Sequence, residues 1–560
     1  MMQTPIVAAI LVAFCSTISN AQQNRDSVDA RRRATRAQER FEQVRRHNLP
    51  RRLTGRPDRC DALIGRFCQW NSGDDTLEAK EPRTIRRARI ALLASLDSAS
   101  RRSPSDGWIS GQRIRYLLET RDDTAAVRVA RECRAAAWWC AALEGLALQQ
   151  GRNGAAPDSA FARALRTMPA ADRCRWTDMT PLLDPSLRKR FGKVGCGKNE
   201  DVAERLWWAA DPFWSVAGND RRTEHYARHT MARILEPARI VYDIGWANDL
   251  REMIVRYGWA RYWTRGDGTV YEPNGGPISG HEATPNYHFV PVSVGADSIP
   301  AAAYELAMNE SAERYAPVAV RRLFEIDPQI AVFMRGDSAL VVAAYDVSKR
   351  NELDATRISA SVIVARDERS PSYQAVTGGP VAAMSVLVDT RPQMLSLEVV
   401  DAENRRAAGW NRSALDLSPL VPGRVTMSDV LLFDPQETEA DDVNAVMKSA
   451  LGSSIVSRGR VGIFWEIYGL QATDSAMPVS LTLTRVSKGA FRRIGESVGL
   501  ATKSRPLSIR WTQTMARGSV TARSVVLDLS LIPRGKYQLR IDAGKGGRMV
   551  GTTWRAIEIK

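Results

Sequence analysis

The sequence predicts a multidomain α + β protein with a helical N-terminal part, a mixed α/β core and two C-terminal antiparallel β-sandwiches. The length of 560 residues exceeds what one hydrophobic core usually serves. Residues 84–170 are rich in Ala, Leu and Arg, which favours helices, whereas short β-rich runs follow one another from about residue 330. With 44% hydrophobic and 25% charged residues, the composition is that of a folded protein and excludes a disordered chain.

Residues 1–21 predict an export signal. Residues Ile6 to Phe14 are uninterrupted and apolar, a length that fits the hydrophobic part of a signal peptide and is too short for a membrane span. Small residues then lead to Ala21, so we expect cleavage after it and a periplasmic or extracellular protein. A buried N-terminal helix is the alternative. No later stretch is long and apolar enough to predict a membrane helix.

Residues 22–83 form an arginine-rich segment. Between Arg25 and Arg59 there are twelve arginines and five acidic residues, and the whole chain has a net charge of +16. In a cytosolic protein this would indicate nucleic-acid binding, but export and the lack of interleaved aromatic residues argue against it. We therefore predict a solvated helix or tether that binds no nucleic acid. Contact with an acidic polymer of the cell envelope is the functional alternative.

The cysteines indicate disulfide bonds in an exported chain. Removal of Cys15 with the signal leaves an even number, for which 15 pairings exist. We expect local bridges, and a bond from Cys133 to Cys140 requires a turn near residues 134–137, because one straight helix would hold them apart. Free buried thiols are the alternative, and without a CxxC pair a metal cluster is not predicted. The expected pairs are Cys60–Cys68, Cys133–Cys140 and Cys174–Cys196.

Residues 84–200 contain the pattern of a helical hairpin. Small residues from Ala142 to Ala147 are followed by Gly151 and then by Phe161 and Ala164. The small residues would let two antiparallel helices approach, and Phe161 would fill the gap between them. The pattern resembles one tetratricopeptide repeat, which implies a short stack of helical hairpins.

Two series of short strands predict the β-sandwiches, at residues 326–420 and 421–560. A tight turn at residues 532–536 leads into a strand with an early Tyr537, as in the last hairpin of an immunoglobulin-like sandwich. The expected strands of the first series are Ala339–Tyr345, Ile358–Ala365, Val381–Val388 and Met394–Val400. Those of the second are Val425–Phe433, Val461–Tyr468, Val479–Val486, Leu507–Trp511, Val525–Leu531, Tyr537–Ile541 and Trp554–Ile559.

Residues 201–325 carry the most specific motif of the chain. Leu206–Trp214 is followed by Glu224–Arg228, then by Asp243–Asp249 and Ile254–Gly258. This order resembles the GWxTD domain family of exported bacterial proteins, whose activity is unsettled. Asn248 stands where the family's box has Thr, and Trp259-Ala260 replaces its usual Glu-Pro-Asp. The likeness continues at residues 427–432 and 464–470 and implies a compartment and a fold more than a reaction.

The residues of this box also have a direct physical interpretation. Asn248 and Asp249 favour a turn, Gly245 allows a bend before it, and Trp246 would pack on a predicted strand over residues 253–257. A binding groove for sugar or peptide, lined by the tryptophans, is the alternative. The candidate site residues are Gly245, Trp246, Asn248, Asp249, Tyr257, Gly258, Trp207, Trp208 and Asp211.

Catalytic and metal motifs are incomplete. Residues 192–199 resemble a phosphate-binding loop but have Asn199 in place of the magnesium ligand, and Ser186–Lys189 lacks the partner boxes of penicillin-interacting enzymes. His225 and His229 are four residues apart and would share a helix face, where His281, Glu282 or His288 could complete a zinc site. We expect instead a pair of surface histidines, no metal and no cofactor.

These observations predict a non-catalytic exported protein that mediates interactions. Its partner would be an envelope protein, or an acidic or glycan polymer. The alternative is an exported peptidase or glycosidase with its site near Trp246 and Asp249, since glycosidase carboxylates carry no short signature. A metal-binding protein that uses His225 and His229 is the third hypothesis.

Overall fold

The chain divides into two compact units. The helical unit comprises Met1–Val294 and Glu305–Arg321, and the β unit comprises Gly295–Tyr304 and Arg322–Lys560. No helix in the part of the chain described is both long and apolar enough to cross a membrane. The computed structural model describes residues 6–51, 62–69, 80–151, 155–266, 276–281, 287–292, 313–318, 320, 322–401, 407–435, 442–470, 476–486, 506–514, 520–545 and 548–560.

The helical unit consists of helices with two small β-hairpins between them. The hairpins are β1 (Ala62–Ile64) with β2 (Phe67–Gln69), and β3 (Tyr262–Arg265) with β4 (Ile278–His281). The helices are α1 (Ile6–His47), α2 (Arg83–Arg102), α3 (Gly107–Glu119), α4 (Asp123–Arg131), α5 (Ala137–Gln150), α6 (Ala156–Thr167), α7 (Ala170–Thr177), α8 (Pro185–Phe191), α9 (Glu200–Ala210), α10 (Asp220–Leu235) and α11 (Asn248–Tyr257).

The arginine-rich segment is packed rather than solvated as far as His47. Ala30, Ala34 and Phe41 of α1 are buried in a cluster with side chains of α2 and α3. Arg45 of the same helix is fully buried and pairs with Glu119 of α3 at 2.5 Å. The expectation of a solvated helix or tether is therefore wrong for this part, because the apolar and ionic groups of α1 repeat on one helix face.

Helices α5 and α6 approach each other at small residues, as the sequence predicts. A Cβ added to Gly145 would lie 2.8 Å from the ring of Phe161, closer than van der Waals contact allows. Phe161 is buried in the helical core together with Leu143 and Leu146. The missing side chain at Gly145 thus leaves the space that the aromatic ring fills.

The β unit contains two sandwiches joined in one chain. The first is built from β5 (Arg322–Glu325), β6 (Gln329–Arg335), β7 (Ser338–Asp346), β8 (Ile358–Ala365), β9 (Tyr373–Gly378), β10 (Val381–Asp389), β11 (Gln393–Asp401) and β12 (Ala407–Leu415). The second is built from β13 (Thr426–Met427), β14 (Leu431–Phe433), α12 (Val443–Met447), β15 (Ile455–Val456), β16 (Arg460–Tyr468), β17 (Ala476–Arg485), β18 (Leu507–Thr514), β19 (Val520–Asp528), β20 (Gly535–Lys545) and β21 (Arg548–Ile559).

Both sandwiches have the same sheet topology. In the first, a sheet β10-β7-β6 packs on a sheet β5-β12-β11-β8-β9. In the second, β16 pairs with β13, β14 and β19, and this sheet packs on β15-β21-β20-β17-β18. All pairs are antiparallel except β5 with β12 and β15 with β21. The predicted sandwiches are confirmed at this level.

In the β unit, two predicted strands are split or end early, and several observed strands are not predicted by the sequence pattern. The run Val425–Phe433 splits into β13 and β14, and the run Val525–Leu531 stops at Asp528, whose carboxylate caps a turn by accepting from the Ser530 amide at 2.9 Å. The four runs of the first series lie within β7, β8, β10 and β11. The strands of the β unit that the pattern did not predict are β5, β6, β9, β12 and β15.

The two sandwiches meet at a junction with an apolar centre. Phe333 of the first sandwich packs on Phe464 of the second, with ring centroids 5.6 Å apart, and Leu431 is fully buried beside them. The Met334 amide donates to the Tyr468 hydroxyl at 2.9 Å. Residues 427–432 and 464–470 thus supply the second sandwich's side of this junction.

Candidate functional site

The box at residues 245–249 leads into helix α11. Asp249 lies in the first turn of α11 and binds Arg66, which stands in the turn between β1 and β2. Its Oδ2 accepts from Arg66 Nε at 2.6 Å and its Oδ1 from Arg66 Nη2 at 2.8 Å. Arg66 also donates to the Gly245 carbonyl oxygen at 3.0 Å. One arginine therefore ties both ends of the box to the β1–β2 hairpin.

The close contact at Asp249 requires glycine on the hairpin side. Gly65 has φ of +52°, and a Cβ there would lie 2.5 Å from the Cβ of Asp249. Hydrogen bonds from Arg66 hold the pKa of the Asp249 carboxyl well below its usual range. Asp249 is consequently an ionised structural anchor at neutral pH and has no proton to donate as a general acid.

The strand expected at residues 253–257 is a helix. Leu250 and Ile254 are buried on one face of α11, a spacing of four residues, and the helix ends at Gly258 with φ of +80°. Trp246 is half-buried before this helix, and the segment on which it was expected to pack as a strand is helical. Asn248 is exposed at its first residue, so the predicted turn at Asn248-Asp249 is a helix start.

Gly245 does not supply the expected bend. Its φ lies outside the left-handed region, and a Cβ there would meet no heavy atom within 4 Å. The residue with positive φ is Asp243, at +56°. Its carboxylate pairs with Arg46 of α1 and with Arg239, which secures the strained turn.

The tryptophans of this region have separate partners. Trp207 is buried against His225, with ring centroids 5.2 Å apart, whereas the half-buried Trp208 stacks on Trp214 at 4.4 Å. Asp211 is buried at the end of α9, where it accepts a long bond of 3.4 Å from the Phe213 amide. In other places, Trp263 covers the Arg45 guanidinium and Trp259 packs on the helical core. These contacts describe packing rather than the lining of one groove.

Helix α10 holds the buried polar groups that sequence patterns missed. Arg221 and Glu313 form an ion pair whose side chains are both fully buried. Arg228 donates to the carbonyl oxygens of Val255 and Arg256 at 3.2 and 2.7 Å, and to that of Arg314 at 2.6 Å. These bonds tie the end of α11 and the segment around residue 314 to α10. The sequence indicated these groups only through the acidic and basic residues at positions 220, 224 and 228, whose spacing of four predicts a polar face on a helix.

His225 and His229 are buried, so the expected surface pair is wrong. His225 Nε2 lies 3.0 Å from the Trp176 carbonyl oxygen, and the His229 ring stacks on the Trp176 ring. Burial lowers the pKa of His225 well below its ordinary value and that of His229 to about 3. The spacing of four correctly predicts one shared face, but that face is covered by Trp176 and Trp207.

The other proposed zinc ligands do not join this pair. His281 binds Thr264 Oγ1 at 2.7 Å within the β3–β4 hairpin, and His288 lies 3.6 Å from Glu313. Glu282 is outside the described residues. Within the ranges that the structure describes, no three His, Cys, Asp or Glu side chains are grouped to hold a metal ion.

Two of the three predicted disulfides are present. Cys133 bonds to Cys140 across the turn between α4 and α5, and Cys174 bonds to Cys196. Helix α4 ends at Arg131 and α5 begins at Ala137, which confirms the break that the first bond requires. Cys60 and the side chain of Cys68 fall outside the described part, so that pair stays a prediction.

Comparisons with known proteins add little to these contacts. No protein-family model and no curated protein matches the chain. Among solved structures, the chain is similar to the FN1–FN3 domains of chicken CNTN1 (TM-score 0.14, 10% identity, 42% of this chain and 68% of that one). It is also similar to two fibronectin type III domains of chicken tenascin (TM-score 0.13, 9% identity, 42% and 99%). These scores are too low to carry an argument, and the fold assignment rests on strand order and core contacts.

Proposed function

We propose that the chain is a non-catalytic exported protein that binds another protein of the cell envelope through its β unit. The observation that carries this proposal is the state of Asp249, the acid favoured for hydrolysis. Arg66 occupies both of its oxygens and keeps it ionised. A hydrolase site there would need a carboxyl group facing substrate, whereas this one faces the β1–β2 hairpin.

The edge of β18 supports binding by an extended peptide. Strand β18 pairs with β17 on one side, and no strand in the described ranges pairs with its other side. Leu507 and Ile509 on β18 are 49% and 43% exposed, and their spacing of two places them on the same face of the strand. An unpaired strand edge offers backbone donors and acceptors, and exposed apolar side chains add affinity for an incoming strand.

The finer fold assignments belong to the same proposal. We assign both sandwiches to the immunoglobulin-like class, since each pairs a smaller sheet with a five-stranded one in the same order. The Tyr537 hydroxyl donates to the Pro533 carbonyl oxygen at 2.7 Å, as the tyrosine of an immunoglobulin-like corner does. We assign the α5–α6 pair to the tetratricopeptide type because of the contact between Gly145 and Phe161. We assign residues 201–325 to the GWxTD type because of the order of their motifs.

Export with cleavage after Ala21 fits the way α1 packs. Among the side chains of α1 that the structure describes, burial begins at Ala30, which follows the expected cleavage site. Two disulfides also favour an oxidising compartment. Mass spectrometry of protein from a bacterial envelope fraction should find Gln22 as the first residue, and a full-length cytosolic chain would refute export.

A photo-crosslinking experiment tests the binding surface. A crosslinking amino acid at position 509 should capture a protein in intact envelopes, and Val381→Lys, a change at a 50% exposed residue of β10, should not reduce capture. The matched control places the same amino acid at position 90, because Ile90 is a 63% exposed apolar residue of helix α2. The expected result is one defined adduct at position 509 that disappears when Leu507 is changed to Lys, since a charge on the edge blocks strand addition.

Two outcomes would refute the proposal. Equal crosslinking at positions 90 and 509 would show that envelope proteins contact the chain nonspecifically and not through the edge of β18. Turnover of peptidoglycan, polysaccharide or casein by the purified protein, lost in Asp249→Asn with its circular dichroism unchanged, would establish the hydrolase instead.

A further inference from the structure

A polar cavity opens at the junction of the two sandwiches, away from the β18 edge that the proposed function uses. Its volume is about 340 Å³, and it is lined by Arg335 of β6, Glu466 of β16, Asp442 before α12 and residues 520–523 of β19. Ligand pockets begin at about 300 Å³, so the cavity has room for one small ring and not for a polymer segment.

The floor of the cavity is a buried carboxylate held in a fixed position. Glu466 is 2% exposed, and Arg335 donates to both of its oxygens at 2.6 and 2.8 Å. The Tyr468 hydroxyl donates to the same carboxylate at 2.6 Å. These three bonds use three of the carboxylate's roughly four acceptor positions, and Glu466 lines the cavity.

The β19 wall has polar groups whose hydrogen-bonding capacity is unused. The Thr521 hydroxyl is buried, with the residue 1% exposed, and has no hydrogen-bond partner. Arg523 uses its Nη1 and Nη2 on the carbonyl oxygens of Ala522 and Thr514, but its buried Nε–H has no acceptor. An unmet buried hydroxyl and an unmet buried N–H on one wall are costly unless something else binds there.

The formal charges of the lining cancel. Arg335 and Arg523 carry two positive charges, and Glu466 and Asp442 carry two negative ones. A charged ligand would leave a net charge in a partly enclosed site, whereas a neutral one would not. The ligand must accept from Thr521 and Arg523 and donate to the carboxylates. Hydroxyl groups do both.

We propose that this cavity binds a neutral polyhydroxylated ligand, a single sugar residue, between Glu466 and Asp442 on one side and Thr521 and Arg523 on the other. A sugar ring offers several hydroxyls at fixed spacing, and its size matches the cavity. This goes beyond the proposed protein contact, since it assigns a second binding site of different chemistry.

Saturation-transfer NMR on the full mature chain tests the proposal, with glucose and N-acetylglucosamine as probes and acetate and phosphate as charged competitors. The wild-type protein should transfer saturation to a neutral sugar and not to the anions. Thr521→Val should weaken binding about fivefold, the value of one lost hydrogen bond, without lowering Tm, because it removes an unmet buried hydroxyl. Arg523→Lys, which lacks Nε–H, should weaken it similarly, and Thr521→Ser should bind as the wild type does.

Exposed residues of β18 supply the matched controls. Thr512→Val and Arg510→Lys make the same chemical changes outside the cavity and should leave binding unchanged. Three results would overturn the proposal: no transfer to either sugar from the folded chain, sugar binding by Thr521→Val and Arg523→Lys that is as tight as that of the wild type, or binding of acetate or phosphate in place of sugar. The crosslinking at position 509 uses another probe, so the two proposals fail independently.

Discussion

The helical unit and the β unit differ in the groups that respond to acid and to reductant. All five histidines and all seven cysteines belong to the helical unit, and the β unit has none of either. Both units bury ion pairs, Arg221–Glu313 in the helical unit and Arg412–Glu398 in the β unit, but the helical unit also buries neutral histidines and is crosslinked by disulfides. The comparison teaches that acid and reductant should act on one unit and leave the other folded.

Reduction should produce the largest difference between the units. The two disulfides close loops with sequence separations of 22 and 7 residues. In the chain-entropy model their loss costs about 3 and 2 kcal/mol, or about 5 kcal/mol together. Calorimetry with and without dithiothreitol should show the transition of the helical unit at lower temperature and that of the β unit unchanged. The double variant Cys133→Ser, Cys140→Ser should reproduce the smaller of the two losses, about 2 kcal/mol. A shift of both transitions on reduction would contradict the expectation that only the helical unit responds.

Mild acid should produce the second-largest effect, again on the helical unit. Burial lowers the pKa of His229 to about 3 and that of His288 to about 4, below the ordinary value of 6.5. The unfolded chain therefore binds protons that the folded unit does not, and stability falls as pH drops below 6.5. At pH 5 the loss is about 2 kcal/mol for each histidine.

The variant His229→Phe isolates this acid effect. It retains a ring to stack on Trp176 but cannot be protonated, so it should lose about 2 kcal/mol less than the wild type between pH 7.5 and 5. Asp220 has the opposite effect on stability, because burial raises the pKa of its carboxyl and the folded unit therefore binds a proton more readily than the unfolded chain. Asp220 is present in both proteins, so its contribution cancels when the variant is compared with the wild type. Equal acid sensitivity of the two proteins in urea titrations would disprove the role of His229.

The third prediction destabilises the β unit alone. Arg335→Met leaves the buried Glu466 carboxylate without its cation, which should cost about 3 kcal/mol. Adding Glu466→Gln should restore most of that loss, because the buried charge is then gone. Arg322→Met is the control, since its pair with Glu352 is exposed and worth under about 1 kcal/mol. Additive effects of the two changes at positions 335 and 466, measured by urea unfolding, would show that the pair is not coupled.

The sequence predicts the strands whose cores are apolar and fails where tertiary contacts choose the residues. The run at residues 358–365 matches β8 because β-branched residues dominate it. Strand β12 was not predicted because it contains Ala407, Ala408 and Gly409, which are poor strand formers. A Cβ at Gly409 would lie 2.6 Å from Ile326, so packing against that side chain requires glycine.

At the candidate site, too, local sequence patterns fail to predict contacts that depend on the tertiary structure. The alternation of Met253, Val255 and Tyr257 favours a strand, but the spacing of Leu250 and Ile254 and the stop at Gly258 indicate a helix. The partner of Asp249 lies 183 residues away, and that of Arg221 lies 92 residues away. No local pattern encodes contacts across such separations, so the box could be located from its sequence but its role could not.

The two parallel strand pairs give the sandwiches a mechanical property. Strand β5 opens the first sandwich and pairs in parallel with its last strand β12 over four residues, and β15 pairs in parallel with the final strand β21 over two. Tension applied to the ends of the first sandwich would pull β5 and β12 along their own axes, which loads their crosswise hydrogen bonds together rather than one after another. In the second sandwich the first strand is β13, which pairs with β16 and not with β21. The first sandwich should therefore bear a higher force before it yields, and the second should give way first when the chain is stretched.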